Sequence, residues 1–149
     1  MALLDLIQEN VVRVPLKETS KYEVIRELVD ILKDAEKISD PEPIYQAIQK
    51  REEQGSTGLE NGIAVPHAKT SSVEELTLAI GIAPQGIDFQ ALDGKPSKVF
   101  FLLLAPPDKS GPHIEALAEI ARITQSGAFM RLLTSARTAE EVVELFAEE

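Results

Sequence analysis

Val99-Phe100-Phe101-Leu102-Leu103-Leu104 is an unbroken apolar run that continues into Ala105. Successive side chains of a strand point to opposite faces, so a strand without polar alternation has to be covered on both sides. A chain built around such a strand cannot be a sheet with one wet face. It needs helices on both. The run is also far shorter than the roughly 20 apolar residues that span a bilayer, so it does not read as a membrane segment.

The rest of the chain supplies those helices. Ser20 with Glu23 is a capping-box signature, and Val24, Ile25, Leu28, Val29, Leu32 and Ala35 then recur at helical spacing, which predicts a helix over residues 21–35. Asp40 before Pro41 opens a second, with Ile44, Ala47 and Ile48 on one face, Arg51 on its last turn and Gly55 as its stop. Gly111-Pro112 opens a third, with His113 in the first turn and a predicted apolar face of Ile114, Leu117, Ala118 and Ala121 widened by Ile120 and Ile123. Residues 128–133 and a last segment through Val142, Val143, Leu145 and Phe146, started by Thr138 and Glu141, complete the helical set.

Residues 77–83 read as a strand closed by Pro84, residues 11–14 as a short strand after a helical turn over residues 3–7, and residues 87–89 as an extended piece before a turn at residues 92–95. Alternating helices and strands, one of them doubly buried, predict an α/β fold. The expected form is a three-layer α/β/α sandwich with a mixed, mainly parallel central sheet, in one domain over residues 1–149.

Composition narrows the chemistry. There is no cysteine, so disulfides, thiolate metal sites and cysteine nucleophiles are excluded. A formal charge of −10, without a basic run to offset it, repels phosphate backbones and argues against nucleic acid as a partner. Residues 1–8 carry Asp5 and no basic flank, unlike a secretory or transit leader, so the expectation is a cytoplasmic protein without membrane insertion.

Chemistry concentrates in residues 55–67, where Gly55, Gly58 and Gly62 accompany Ser56, Thr57 and one of only two histidines, His67. The stretch reads as an exposed loop in which Pro66 keeps Val65 extended and fixes the entry into His67. His67 is open to three readings: a solvent-facing residue, a structural histidine or a nucleophile, the last because neutral imidazole is nucleophilic near neutral pH. His113 is either simply a polar residue near a helix start or, kept neutral by the dipole, a donor to an anionic oxygen. Arg51 either dresses a helix end or binds anionic oxygens, with Ser56, Thr57, Gly58 and Gly62 supplying hydroxyl and amide donors. Two histidines fall short of a metal set without carboxylates such as Glu60. No Gly-x-Ser-x-Gly elbow and no Gly-Lys-Ser/Thr phosphate loop occurs.

Ile63-Ala64-Val65-Pro66-His67-Ala68-Lys69-Thr70, together with Gly86-Ile87-Asp88-Phe89, Leu92-Asp93-Gly94-Lys95-Pro96, the strand at residues 100–105 and the helix start His113-Ile114-Glu115-Ala116-Leu117-Ala118, resembles the enzyme IIA domains of the mannitol/fructose class of the bacterial phosphoenolpyruvate:sugar phosphotransferase system. The motifs stand in the same order over essentially the whole chain. The resemblance implies that His67 accepts a phosphoryl group from the phosphocarrier protein HPr and passes it to a IIB component, with His113 and Arg51 supporting the phosphohistidine and no cofactor or metal involved. The Pro-His-Ala-Lys-Thr and Gly-Ile-Asp-Phe wording is similar to fructose-type members, although Glu60 stands where the family often has glycine. The alternative within the resemblance is a nitrogen-related regulatory protein whose phosphorylation state controls binding to a target.

Overall fold

The computed structural model describes residues 3–148; Met1, Ala2 and Glu149, at the ends of the predicted domain and leader readings, lie outside the described residues. Strands β1 (Val12–Arg13), β2 (Ile63–Ala64), β3 (His67–Lys69), β4 (Thr77–Ile87) and β5 (Ser97–Ala105) form one sheet. Helices α1 (Lys21–Asp34), α2 (Pro41–Glu53), α3 (Ser110–Ile123), α4 (Gly127–Ser135) and α5 (Ala139–Ala147) cover it. The sheet is mixed as expected. β1 pairs parallel with β4, and β2 and β3 pair parallel with β5, while the long β4–β5 pairing is antiparallel.

The apolar run of β5 behaves as its composition requires. Val99, Phe101, Leu103 and Ala105 join a core with Ile120, Ile123, Phe129, Leu133, Val142 and Phe146 of α3, α4 and α5. Phe100, Leu102 and Leu104 join the opposite core with Val24, Ile25, Leu28 and Leu32 of α1 and Ile44 and Ile48 of α2. All seven residues from Val99 to Ala105 are fully buried, which completes the three layers.

The predicted segments need several corrections. β4 runs through Pro84 to Ile87 because the ladder slips between Ile82 and Ile87, where an exposed proline without an N–H is tolerated. The first strand shrinks to β1, since Val11 closes a 3-10 turn. At α1 the Ser20 hydroxyl bonds the Glu23 carboxylate at 2.5 Å instead of capping the backbone. At α5 Thr138 caps Glu141 N, while the Glu141 carboxylate accepts from Arg137 N, one residue before the cap. The buried face of α3 is His113, Ala116, Ile120 and Ile123; Ile114, Ala118 and Ala121 are exposed. The observed face is turned from the predicted one because small and apolar residues cover well over half of the circumference, leaving only the stripe of Glu115, Glu119 and Arg122 charged.

The largest correction concerns residues 55–67, which are not an exposed loop. Thr57, Gly58 and Ile63 to Pro66 are buried, Gly58 bridges Ala64, and β2 and β3 lie end to end along one edge of β5. Two and three residues are too few to register as a periodicity. The β5 edge alone makes them strands.

Candidate functional site

His67 opens β3 opposite Leu103 of β5. Its ring follows the buried pair Val65-Pro66, whose carbonyls are both engaged: Pro66 O accepts from Leu103 N at 3.0 Å and Val65 O is 2.8 Å from His67 Nδ1. A carbonyl can only accept, so Nδ1 carries the proton and, in the neutral ring, Nε2 carries the lone pair. No hydrogen bond among the described residues involves Nε2.

α3 delivers His113 against this ring. The ring centroids are 5.3 Å apart and the planes stand at 85°. His113 is only 4 % exposed, and neither ring nitrogen has a hydrogen-bond partner among the described residues. Burial, then the nearby His67 and then Lys69, hold its pKa below the ordinary value of 6.5. A neutral ring with an unsatisfied N–H at a cavity wall is a donor awaiting an acceptor.

α2 forms the other wall. A cavity of about 490 Å³ is lined by Ala47, Lys50, Arg51 and Gln54 of α2, His67, Ala68 and Lys69 of β3, and His113, Ile114 and Leu117 of α3. The three cations face it without any carboxylate in the lining, in a chain whose net charge is −10. The local field therefore favours an anion where the global field does not. Arg51 keeps a helix-end role as well, donating to Gly55 O at 2.8 Å, and Lys69 Nζ donates to Ser110 Oγ at 3.0 Å.

His67, His113 and Arg51 thus converge, as the sequence reading needed them to. Ser56, Thr57, Gly58 and Gly62 do not line the cavity. The Ser56 hydroxyl donates to Phe89 O at 2.8 Å, and the Thr57 hydroxyl donates to the Glu52 carboxylate at 2.5 Å. Gly58 is required by close approach, because a Cβ there would sit 2.9 Å from Ala91 Cα, and Gly62 bends the backbone at φ +79° into β2. These contacts shape the approach to β2 and β3. Lys50 and Lys69 were missed as cavity residues. The strand period of two from His67 identifies Lys69, and the spacing of Ala47, Lys50, Arg51 and Gln54 marks a single helix face.

A histidine with one nitrogen pinned and the other free, set among cations and a second neutral imidazole, is equipped to take up and hold an anionic group. The model of the phosphoenolpyruvate-dependent sugar phosphotransferase system, EIIA 2, family matches residues 5–149. The chain belongs to this EIIA type 2 family. Among relatives, the fructose-specific EIIABC component of Bacillus subtilis is 31% identical over 145 residues, covering 97% of this chain. The chain spans only 23% of the length of that relative. The nitrogen regulatory protein of Bradyrhizobium diazoefficiens is 31% identical over 148 residues, covering 99% of this chain and 95% of that one.

Solved EIIA structures share the fold. Nitrogen regulatory protein IIA-Ntr from Neisseria meningitidis superposes with a TM-score of 0.88 at 27% identity, covering 97% of this chain and 98% of that one. Enzyme IIA-mannitol from Escherichia coli, in complex with phosphorylated enzyme IIB-mannitol, superposes with a TM-score of 0.81 at 21% identity, covering 95% and 97%. The EIIA family thus includes both sugar-specific and nitrogen-regulatory members at similar distance. Among the described residues no helix is long and apolar enough to cross a membrane.

Proposed function

We propose that this EIIA protein is a phosphoryl carrier whose acceptor is Nε2 of His67, taking the group from phosphorylated HPr and passing it to a IIB component for coupled sugar uptake and phosphorylation of the fructose type. The observation that carries the reading is the 2.8 Å bond between His67 Nδ1 and Val65 O, which leaves Nε2 as the unpaired nucleophile beside three cations and His113. The Nε2 lone pair forms the N–P bond while the bond from phosphorus to the donor breaks, its electron pair leaving on the donor. The Nδ1 proton stays, and the Val65 carbonyl faces the positive charge that grows on the ring.

Phosphoryl transfer spreads charge over three equatorial oxygens, so placement and electrostatics are the protein's contribution. Neutral His113 donates one N–H to such an oxygen, and Arg51, Lys50 and Lys69 balance its charge. Ile114, 66% exposed, and Leu117 give the mouth of the cavity an apolar rim. Donor and acceptor proteins then use one face in turn, through interfaces small enough to separate.

A second reading has its own support: the nitrogen regulatory relative matches nearly end to end, with 99% and 95% coverage. In that reading the same His67 chemistry controls binding to a target protein and no sugar is carried. Incubation with phosphoenolpyruvate, enzyme I and HPr, followed by mass spectrometry, tests the acceptor; label on any residue other than His67 refutes it. Onward transfer to a IIB protein with sugar phosphorylation supports the transport reading. Stable phosphorylation with state-dependent binding to a non-transport partner supports the regulatory one.

A further inference from the structure

Behind the cavity, and not touching it, lies a buried ion pair. Glu52, in the last turn of α2, has a fully buried side chain, and Lys21, in the first turn of α1, reaches it with Nζ at 3.0 Å from Oε2. Burying two charges is costly unless their remaining hydrogen-bonding capacity is met. Here it is met with unusual completeness. Glu52 Oε2 accepts from Thr57 N at 2.7 Å and Oε1 from the Thr57 hydroxyl at 2.5 Å, while Lys21 Nζ also donates to Phe89 O and Gln90 Oε1 at 3.3 and 3.0 Å.

The chain of contacts continues from Thr57 to the imidazole. Thr57 O accepts from Val65 N at 3.0 Å, and Val65 O in turn accepts from His67 Nδ1 at 2.8 Å. Every link in this sequence is short, and all its members apart from His67 are buried. The carboxylate grips both the amide and the hydroxyl of Thr57, so it sets the plane of that residue. Thr57 O holds residue 65 through its N–H, on the 64–65 peptide, and the Val65 carbonyl, on the following 65–66 peptide, takes the Nδ1 proton of the imidazole.

We infer that Glu52, held by Lys21 and acting through Thr57 and Val65, is a positioning residue that fixes the orientation and tautomer of His67. The network explains why a buried ion pair persists where an apolar pair would pack. It also explains why the Thr57 hydroxyl, ten residues before the proposed acceptor, is turned to Glu52 and away from the cavity. The competing account is that pairing of β3 with β5, including the Leu103 N to Pro66 O bond, orients His67 without help from Thr57.

The two accounts part at Thr57. Long-range proton–nitrogen correlation spectra of nitrogen-15-labelled protein report which His67 nitrogen carries the proton, with no phosphoryl donor present. We expect wild type to hold the Nδ1–H form, and Thr57→Val, which loses the hydroxyl bond and cannot refill it, to raise the Nε2–H form at least about two-fold and slow labelling of His67 about 10-fold. Thr57→Ser restores both. Thr57→Ala, read the same way, decides if Thr57→Val does not fold. A wild-type tautomer in a folded Thr57→Val or Thr57→Ala protein overturns the inference, whatever the rate. The rate measurement alone rests on His67 being the acceptor; if wild type takes no label at His67, the proposed function fails and the tautomer result still judges the positioning network.

Discussion

The rings of His67 and His113 meet edge to face at 5.3 Å, one half-exposed at the sheet edge and the other buried in the first turn of α3. At this distance a proton on one ring opposes a proton on the other, and Lys69 adds to the repulsion at His113. In the proposed mechanism the pair acts as a nucleophile beside a neutral donor. His113→Ala should slow transfer by roughly 100- to 1,000-fold, the range for losing one donor to a developing anion, with His67 still the labelled residue. Because neither His113 nitrogen has a hydrogen-bond partner among the described residues, the loss of stability should be held to about 2 kcal/mol, read by urea denaturation. Transfer at the wild-type rate would remove His113 from the mechanism.

The same burial makes acid destabilising. In the folded chain His113 resists protonation, whereas in the unfolded chain it takes a proton near 6.5. Below that pH the unfolded state binds more protons, so the His113 contribution is fully present above about 6.5, is lost as pH falls towards the folded value, and is constant below it. His113→Leu should flatten this part of the profile, shown by urea midpoints of variant and wild type between about pH 8 and about pH 5. Parallel profiles for the two proteins would contradict the assignment.

His67→Gln should abolish phosphoryl uptake without altering the fold. Its ring contributes one backbone hydrogen bond, so the change in stability should be no more than about 1 kcal/mol. In the wild-type phosphoprotein, phosphorus coupling should appear at Nε2, since Nδ1 is engaged by Val65. Coupling at Nδ1 would refute the orientation derived from the 2.8 Å contact.

Arg51 has a structural and an electrostatic function to separate. Arg51→Ala removes the bond to Gly55 O at the end of α2 as well as one of three cavity cations. Transfer should fall about 10-fold and stability by under about 1 kcal/mol. Arg51→Lys keeps charge but not the guanidinium fork, so partial recovery of rate would mark charge as the larger effect, and none would mark geometry.

The doubly buried strand predicts an asymmetric result. Phe101 is fully buried and meets Phe146 of α5 at 6.1 Å and 86°, so Phe101→Ala should cost roughly 3–5 kcal/mol. Residual helix by circular dichroism, with loss of the urea transition's cooperativity, would show that the second core through Phe100 and Leu102 holds without the first. A cost below about 1 kcal/mol would deny Phe101 its place in the α3–α5 core.

What the amino-acid order determined by itself was everything that depends on local repetition. The apolar run at residues 99–105 has only one physical solution, cover on two faces, and α1 was legible because Val24, Ile25, Leu28, Val29 and Leu32 repeat at the helical period and are fully buried. From the residues alone His67 stayed open to three readings, and the resemblance carried by residues 63–70 singled it out as the candidate acceptor. What depended on distant partners was left to the tertiary structure. β2 and β3 are strands because β5 offers them an edge, and α3 turns His113 inward and Ile114 outward because its apolar arc is wider than the side that the sheet covers. Thr57 and Ser56 look like ligands in the sequence, yet their hydroxyls bond the Glu52 carboxylate and the Phe89 carbonyl, since buried acceptors left without donors cost more than an open cavity does. Lys50 and Lys69 become part of the site only when α2 and β3 are brought together, because charge acts through space and the spacing along a chain does not measure it.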